Sequence, residues 1–333
     1  TVRHSFPTRR SSDLAAHHHS AKAMRYRALG ATGMTVSEIG FGAASYWGLP
    51  RFDERAALGL VHAALDGGVT FFDTGAAYSR GEAEPRLGRA LRDRGGDALV
   101  VATKAGTRHL GGGRIGRDFS PQAIVSSAEA SLKRLGLDVL PLLQLHGPAA
   151  SELTPALFEA LEGLRSRGLV RAFGVNSFDP GLIELALGLP TFDVVMVDYN
   201  VMRPERAPLI HRARAAGKGV LAGMALGMGH PGGQVRRLRG VQDVWYLLRA
   251  LKNHRVDIAR GRRFKFLDET PGMSGAQAAL AYVLENPDIA CAVVGTTRVG
   301  HLRDNMAASG LELPTSIRTR ITQAQVGLNP GCD

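Results

Sequence analysis

Four side chains able to hold or transfer a proton follow short apolar runs in this sequence. Asp73 and Tyr78 stand five residues apart in FFDTGAAYSRG, Lys104 closes ALVVATK, and His146 closes VLPLLQLH. A tyrosine with its ordinary pKa of about 10 is a poor acid at neutral pH, but a neighbouring ammonium such as Lys104 lowers that pKa. Asp73 would hold and charge-balance the lysine, and His146 could donate a hydrogen bond to a developing oxyanion. These residue types suit the delivery of a proton to an oxygen atom.

The four residues stand at or near the ends of runs that have the character of β-strands. Eight apolar runs alternate with helix-like segments, and they are IGFGA (39–43), VTFFD (69–73), ALVVATK (98–104), VLPLLQLH (139–146), LVRAFGV (169–175), FDVVMVDYN (192–200), GVLAGMAL (219–226) and IACAVVG (289–295). Continuous apolar runs indicate strands covered on both faces, hence a parallel sheet. Eight such units at a spacing of roughly 30 residues predict an α/β fold, a closed (β/α)8 TIM barrel. RYRALGATGMTVSEIG (25–40) predicts a β-hairpin before the first barrel strand.

Such a barrel would bring the polar residues to one rim. Asp73, Lys104 and His146 end the second, third and fourth strands, Tyr78 follows the second, and FGVNSF (173–178) ends the fifth with two polar residues. Each has an ordinary structural interpretation, such as a turn-forming aspartate or a lysine that extends its ammonium into solvent. Every one of these residues would need such a structural role at the same time, and all of them on the face where barrel enzymes have their catalytic groups. We therefore expect an active site at that rim.

A long basic segment interrupts the regular spacing after the seventh strand, on the catalytic face of the barrel. Residues 236–265 contain ten lysines and arginines against two acids, and Trp245, Leu248 and Leu251 form an apolar stripe that would pack a helix on the barrel. The charge suits an anionic substrate, a cofactor pyrophosphate or a polyanion, and a solvated helix face explains it as well. No nucleic-acid-binding motif is visible.

Two glycine-rich segments match the pattern G-x-G-x-x-G, which is typical of dinucleotide-binding Rossmann folds. They are GGGRIG (111–116) and GMGHPG (227–232). Neither opens a helix directly, and Pro231 interrupts the second, so both are predicted to be loops.

The remaining features bound the class of protein. HSFPTRRSSDL (4–14) has the character of translated adapter sequence, so residues 1–23 are expected to be a non-native or disordered leader and residues 24–333 a single barrel domain. Cys291 and Cys332 are too far apart to indicate a metal or redox pair, and no metal site is expected. No apolar stretch reaches the ~18 residues of a membrane span. The arginine-rich, lysine-poor composition suggests a bacterial gene and a cytoplasmic protein.

The motifs around these residues resemble the aldo-keto reductase family. The matching segments run from about Arg25 to about Ser309 and are FFDTGAAYSRGEAEPRLGRAL, ATKAG, SLKRLGLDVLPLLQLHGP, FGVNSF and GTTRVGHLRDNMAAS. The resemblance implies a catalytic tetrad of Asp73, Tyr78, Lys104 and His146, with NADPH or NADH bound in extended form across the strand ends. Hydride delivery to a carbonyl builds negative charge on the oxygen, and the tyrosine would supply the proton.

The same resemblance assigns further residues to the cofactor. Met196 stands where the family often has a glutamine, and Gly223 stands where many members stack an aromatic ring on the nicotinamide. The residues assigned to the cofactor follow strands five to eight and are Asn176, Ser177, Met196, Met224, Leu226, Gly295, Thr296, Thr297, Arg298, His301 and Asn305. Met196 and Met224 also fit ordinary barrel core.

The eighth strand and the loops supply the remaining expectations. Arg298 or His301 would neutralise a ribose 2′-phosphate, which favours NADPH, although many family members have a lysine where this chain has Gly295, and NADH stays possible. Tyr46 and Trp47 are expected at the mouth of the substrate pocket.

Taken together, the sequence predicts an oxidoreductase that reduces an aldehyde or ketone, or oxidises the alcohol, with a nicotinamide cofactor. The alternative is a cofactor-binding regulatory or interaction protein on the same barrel, with little or no turnover, and the departures at Met196 and Gly223 keep it open. The expected partner is a small carbonyl or alcohol, with no nucleic acid and no membrane. The sequence does not decide the substrate or the oligomeric state.

Overall fold

The computed structural model describes residues 23–92, 94, 96, 98–110, 114–227 and 255–328. The expected leader up to residue 22 lies outside the described residues. So do most of the basic insertion, including Trp245, Leu248 and Leu251, and parts of both glycine-rich segments.

The described strands agree with the eight apolar runs. In chain order they are β1 (Tyr26–Ala28), β2 (Thr35–Ser37), β3 (Ile39–Gly42), β4 (Phe71–Asp73), β5 (Val100–Ala105), β6 (Thr107–His109), β7 (Ile115–Arg117), β8 (Leu140–His146), β9 (Val170–Asn176), β10 (Val194–Asp198), β11 (Gly219–Gly223) and β12 (Cys291–Val294). Eight of them pair in parallel in the order β3–β4–β5–β8–β9–β10–β11–β12, and β12 pairs with β3 to close the barrel. The predicted barrel is confirmed, and so is the hairpin β1–β2. The apolar runs did not predict the second hairpin, β6–β7, which follows β5.

Every barrel strand is followed by at least one helix. The helices are α1 (Glu54–Asp66), α2 (Ala83–Leu91), α3 (Pro121–Leu135), α4 (Pro155–Ser166), α5 (Pro180–Leu187), α6 (Ala207–Ala215), α7 (Arg255–Gly261), α8 (Gly275–Leu284), α9 (Val299–Met306) and α10 (Thr315–Gln325). Ser120 caps α3 as its sequence predicts, because its hydroxyl accepts a hydrogen bond from the Ala123 amide at 3.4 Å and Pro121 opens the helix. None of the helices in the described ranges is long and apolar enough to cross a membrane.

The hairpin β1–β2 closes the amino-terminal end of the barrel. Leu29, Met34 and Val36 are buried there in one cluster with the interior side chains of the barrel strands. Arg27 holds the hairpin in place through an ion pair with the buried Glu38 at 2.9 Å, and it also donates hydrogen bonds to backbone carbonyls just after α8. The opposite end, where the strands terminate, is therefore the end at which a ligand can enter.

The character of the barrel interior changes along its axis. Successive side chains of a strand point to opposite faces, so Phe71 and Asp73 of β4 point inward while Phe72 packs against the helices. The same alternation along β5 carries Val100, then Ala102, then Lys104 into the interior. The lower layers are apolar and the top layer is charged. The strand period thus positions a charged group under the open rim.

Candidate active site

An ion pair between Lys104 and Asp73 occupies the top of the barrel. The lysine side chain is fully buried, and its Nζ donates to both carboxylate oxygens of Asp73, at 2.7 and 2.6 Å, and to the carbonyl of Thr74 at 2.8 Å. Burial lowers the pKa of an ammonium, but the Asp73 carboxylate and the Tyr78 hydroxyl outweigh it, so the pKa of Lys104 lies above its ordinary value. The lysine is therefore a fixed positive charge at neutral pH.

Gln144 completes the hydrogen bonding of the carboxylate. It lies two residues before His146 on β8 and is fully buried, and its Nε2 donates to Asp73 Oδ1 at 3.2 Å. Its Oε1 is buried and has no hydrogen-bond partner among the described residues. Sequence reasoning missed this residue, although the period of two along a strand gives Gln144 and His146 the same inward direction.

Tyr78 approaches the ion pair from the loop after β4. Its ring is half-buried, and the Lys104 Nζ lies 4.7 Å from the ring centroid. The turn that carries it is strained, because Ser79 and Arg80 adopt left-handed backbone angles with φ of 54° and 65°. Ser79 Oγ donates to the carbonyl of Ser45 at 2.7 Å and so fastens this turn to the loop after β3.

His146 ends β8 beside the tyrosine. The two rings meet edge to face, with centroids 5.6 Å apart and planes at 82°. Burial lowers the pKa of His146 to about 4, and the positive charges of Lys104 and Arg117 act in the same direction. The imidazole is therefore neutral at pH 7, and it can donate a hydrogen bond without carrying charge. Its Nδ1 lies 2.9 Å from Thr107 Oγ1.

A second buried network holds β5 from outside the barrel. Glu84 of α2 is fully buried, accepts a hydrogen bond from the Thr103 hydroxyl, and pairs with Arg134 Nε at 2.6 Å. Thr103 precedes Lys104 and points the opposite way along the strand. The network therefore fixes the strand that positions the lysine.

The residues expected at the nicotinamide lie side by side at the ends of β9, β10 and β11. Asn176 and Ser177 are buried, and Asn176 Nδ2 lies 2.7 Å from the sulfur of Met196. A Cβ on Gly223 would lie 3.4 Å from Met196 Cγ, so the two positions adjoin. Met224 is half-buried with a left-handed φ of 55°, and its carbonyl accepts a hydrogen bond from Asn200 at 3.0 Å. Leu226 follows and is half-buried.

The residues expected at the phosphates follow β12. Gly295 is exposed, and a Cβ there would lie 3.0 Å from the carbonyl of Gly42 on β3, so this position suits a residue without a side chain. Thr296, Thr297 and Arg298 are half-buried and lead into α9. No side-chain cap closes the amino terminus of α9 at Arg298. An uncapped helix start beside a glycine fits the phosphate groups of a dinucleotide.

The last two residues assigned to the nucleotide lie on α9 itself. His301 is exposed on the first turn, whereas Asn305 is buried one turn further along. The exposed imidazole of His301 suits a phosphate group, and the buried side-chain amide of Asn305 suits the edge of a base.

The two aromatic residues expected at the substrate mouth have different surroundings. Trp47 is almost completely buried on the outer side of β3, where its Nε1 donates to the carbonyl of Ala57 at 3.1 Å and its ring meets Phe41 edge on. Tyr46 is also buried and packs against Phe52. The structure does not bring Trp47 to the tetrad. Within the described ranges, no cluster of histidine, cysteine and acidic side chains could hold a metal ion.

Comparisons with known proteins agree with this geometry. Residues 38–325 match the model of the aldo/keto reductase family. The chain is similar to a D-threo-aldose 1-dehydrogenase of Pseudomonas sp, with 28% identity over 90% of this chain and 97% of the relative. It is also similar to a probable voltage-gated potassium channel subunit beta of Arabidopsis thaliana, with 28% identity over 86% of this chain and 91% of the relative. Among solved structures, an aldo-keto reductase of Bacillus halodurans in its holo form superposes with a TM-score of 0.74, at 27% identity, over 90% of this chain and 96% of that one.

Proposed function

The chain belongs to the aldo/keto reductase family and is an oxidoreductase, and from this premise we propose that it interconverts a small aldehyde or ketone and the corresponding alcohol, with Tyr78 as the proton donor. The observation that carries the proposal is the buried pair of Lys104 and Asp73, with the Lys104 Nζ 4.7 Å from the centroid of the Tyr78 ring. A buried ion pair is an expensive way to fill the top of a barrel, and an apolar side chain would serve stability as well. Its position next to a tyrosine under the open rim gives it a chemical purpose.

The proton delivery follows from the charges around the phenol. When Tyr78 gives its proton to the substrate oxygen, the phenolate that remains lies against the Lys104 ammonium, which stabilises it. Asp73, held by Gln144, keeps that ammonium in place and balances its charge. In the reverse direction the same phenolate takes the proton from the alcohol.

His146 acts on the oxygen without exchanging a charge. Since its pKa is lowered to about 4, the ring is neutral through the working range of pH and serves as a hydrogen-bond donor to the carbonyl oxygen. A preorganised donor is most effective where negative charge develops in the transition state. Tyr78 and His146 thus hold the oxygen from two sides.

A bound nicotinamide cofactor would supply or accept the hydride, and the residues present fit it. Asn176 and Ser177 offer an amide and a hydroxyl for the carboxamide, and the glycine and uncapped helix start after β12 suit the phosphates. Arg298 adds positive charge and His301 adds an imidazole near the proposed position of a ribose 2′-phosphate, which supports NADPH over NADH. We propose Met196 and Met224 as apolar contacts of the nicotinamide ring, in place of a stacked aromatic side chain.

A second candidate function is a cofactor-binding regulatory protein with little turnover. Met196 and Gly223 favour it, because together they leave the nicotinamide without an amide partner on β10 and without an aromatic platform on β11. The similarity to a potassium channel beta subunit is consistent with it. The presence of all four residues of the tetrad favours the enzymatic function over the regulatory one.

The experiment that tests the proposal is a titration of the full chain with NADPH and NADH, followed by nicotinamide absorbance across a panel of aldehydes, ketones and aldoses. We expect tighter binding of NADPH, and turnover that is lost in Tyr78→Phe. Tyr26→Phe is the matched control, because Tyr26 lies in the hairpin β1–β2 at the other end of the barrel, where its hydroxyl donates to the carbonyl of Gly68. Binding without turnover on any member of the panel would favour the regulatory function. Full turnover in Tyr78→Phe would refute the assignment of the proton donor.

A further inference from the structure

The segment that follows Lys104 brings a hydroxyl to the histidine. Gly106 has a φ of 90°, and a Cβ at this position would overlap the ring of Phe119, so the chain leaves β5 by a path that glycine alone can follow. That path starts β6 at Thr107, three residues after the lysine. Thr107 Oγ1 lies 2.9 Å from His146 Nδ1, and this is the only hydrogen bond of the Thr107 hydroxyl among the described residues.

A neutral imidazole has one proton to place on either of two nitrogens, and the hydrogen bond at Nδ1 can settle where it goes. If the hydroxyl of Thr107 donates to Nδ1, the ring proton stays on Nε2. If Nδ1–H donates to the hydroxyl, Nε2 presents a lone pair instead. Only the first arrangement lets His146 donate to a carbonyl oxygen, because a lone pair at Nε2 would repel the lone pairs of that oxygen.

The groups around His146 favour the neutral imidazole that the Nε2–H form requires. The groups that face His146 are the Lys104 ammonium, the Arg117 guanidinium and the Tyr78 ring. Burial disfavours the protonated imidazole, and the positive charges of Lys104 and Arg117 disfavour it as well, so the pKa of His146 is low. The position of the single ring proton is therefore a property that the protein must control.

We propose that Thr107 is a positioning residue whose hydroxyl donates to His146 Nδ1, holds the imidazole in its Nε2–H form, and so aims a hydrogen-bond donor at the substrate oxygen. The proposal rests on the function proposed above. It adds a fifth polar side chain to the tetrad, one that acts through His146 and does not touch the substrate. The hydroxyl has one proton, and donation to Nδ1 gives that proton an acceptor at 2.9 Å.

The test compares Thr107→Val, which has the same shape without the hydroxyl, with Thr107→Ser, which keeps it. The direct readout is nitrogen-15 NMR of the full chain without cofactor, with the His146 signals assigned by their loss in His146→Gln. We expect the wild-type and serine proteins to be protonated at Nε2, and the valine protein to shift toward the Nδ1–H form. Thr32→Val is the matched control, since its hydroxyl bonds to Leu29 at the opposite end of the barrel.

Turnover supplies the second readout. We expect Thr107→Val to lower kcat by about tenfold, the scale of one hydrogen bond lost in the transition state, with the Kd of NADPH unchanged and activity restored in Thr107→Ser. A wild-type spectrum with protonated Nδ1, or an unchanged tautomer in Thr107→Val, would overturn the inference. Because the spectrum needs neither cofactor nor substrate, it separates this result from the proposed function. A protein that turns nothing over but changes tautomer in Thr107→Val would refute the function and keep the positioning role.

Discussion

The low pKa of His146 makes the stability of the protein depend on pH in a way that one substitution isolates. The pKa of the His146 imidazole is near 6.5 in the unfolded chain and about 4 in the folded protein. Between these two pH values, His146 binds a proton in the unfolded chain and does not bind one in the folded protein. The contribution of His146 to stability is therefore complete above 6.5 and is lost as the pH falls toward 4. In His146→Gln this dependence should disappear.

The size of the effect follows from the two pKa values. Below both of them, the loss amounts to about 3.5 kcal/mol, at about 1.4 kcal/mol for each tenfold change in proton affinity. At pH 5 the unfolded imidazole is almost fully protonated and the folded one almost fully neutral, so the loss is about 2 kcal/mol. At pH 7.5 it is about 0.1 kcal/mol. The wild-type protein should thus lose about 2 kcal/mol more than His146→Gln between these two conditions.

The assay is equilibrium urea unfolding of both proteins at pH 7.5 and pH 5. The substitution also removes the hydrogen bond to Thr107 and the contact with Tyr78, but that loss is present at both pH values and cancels in the difference. Direct NMR titration of His146 in the wild-type protein should show the same low pKa. If the two proteins lose equal stability between pH 7.5 and pH 5, the histidine is not held neutral. In that case both the donor role of His146 and the tautomer argument fail.

Three further substitutions test the site. Tyr78→Phe should lower kcat by about 10²–10⁴-fold with the Kd of NADPH nearly unchanged, as single-turnover and binding measurements would show; a parallel loss of binding would point to a structural role. Lys104→Met should lower the free energy of unfolding by about 3–5 kcal/mol, because it leaves the Asp73 carboxylate buried without a cation. Adding Asp73→Asn to the same protein should recover part of that loss, as measured by urea unfolding. No recovery in the double variant would contradict the ion-pair argument. Gly106→Ala should destabilise the protein by more than about 1 kcal/mol in thermal unfolding, through its left-handed φ and the ring of Phe119; an unaffected Tm would mean that the segment relaxes.

The barrel could be predicted from the sequence because simple periodicities determine its strands and helices, whereas the catalytic roles of the tetrad come from the family resemblance and stay a prediction. Continuous apolar runs separated by amphipathic stretches specify parallel strands covered by helices, and the carboxyl ends of such strands share one rim. Asp73 and His146 end β4 and β8, and Lys104 is the penultimate residue of β5, so the proximity of these three residues follows from topology. Gln144 obeys the same rule and could have been identified, since a polar residue two positions before His146 in a buried strand must face the same interior.

Thr107 and Trp47 could not be placed in this way, because loops decide their positions. The contact of Thr107 with His146 depends on the left-handed turn at Gly106 and on the hairpin β6–β7, neither of which has a hydrophobic period. Trp47 lies in a loop where the positive φ of Ser45 turns the chain back onto β3, and a large aromatic side chain suits a pocket and a core equally well. The Trp47 indole is buried and donates to the carbonyl of Ala57 on α1, and the expected place of Trp47 at the substrate mouth stays a prediction.

The arrangement of the interior explains why the charged layer is confined to the top of the barrel. An ammonium buried without a partner would lose several kcal/mol of hydration, and a partner carboxylate restores that only when its own oxygens are also bound. Here Lys104 and Gln144 bind Asp73, and the lysine takes a third acceptor from the backbone of Thr74. Apolar layers below, such as that of Phe71, keep water from the pair, while the open rim above admits the substrate. A lysine one layer lower would lie farther from Tyr78, so the position of the charge fits the proton transfer proposed above.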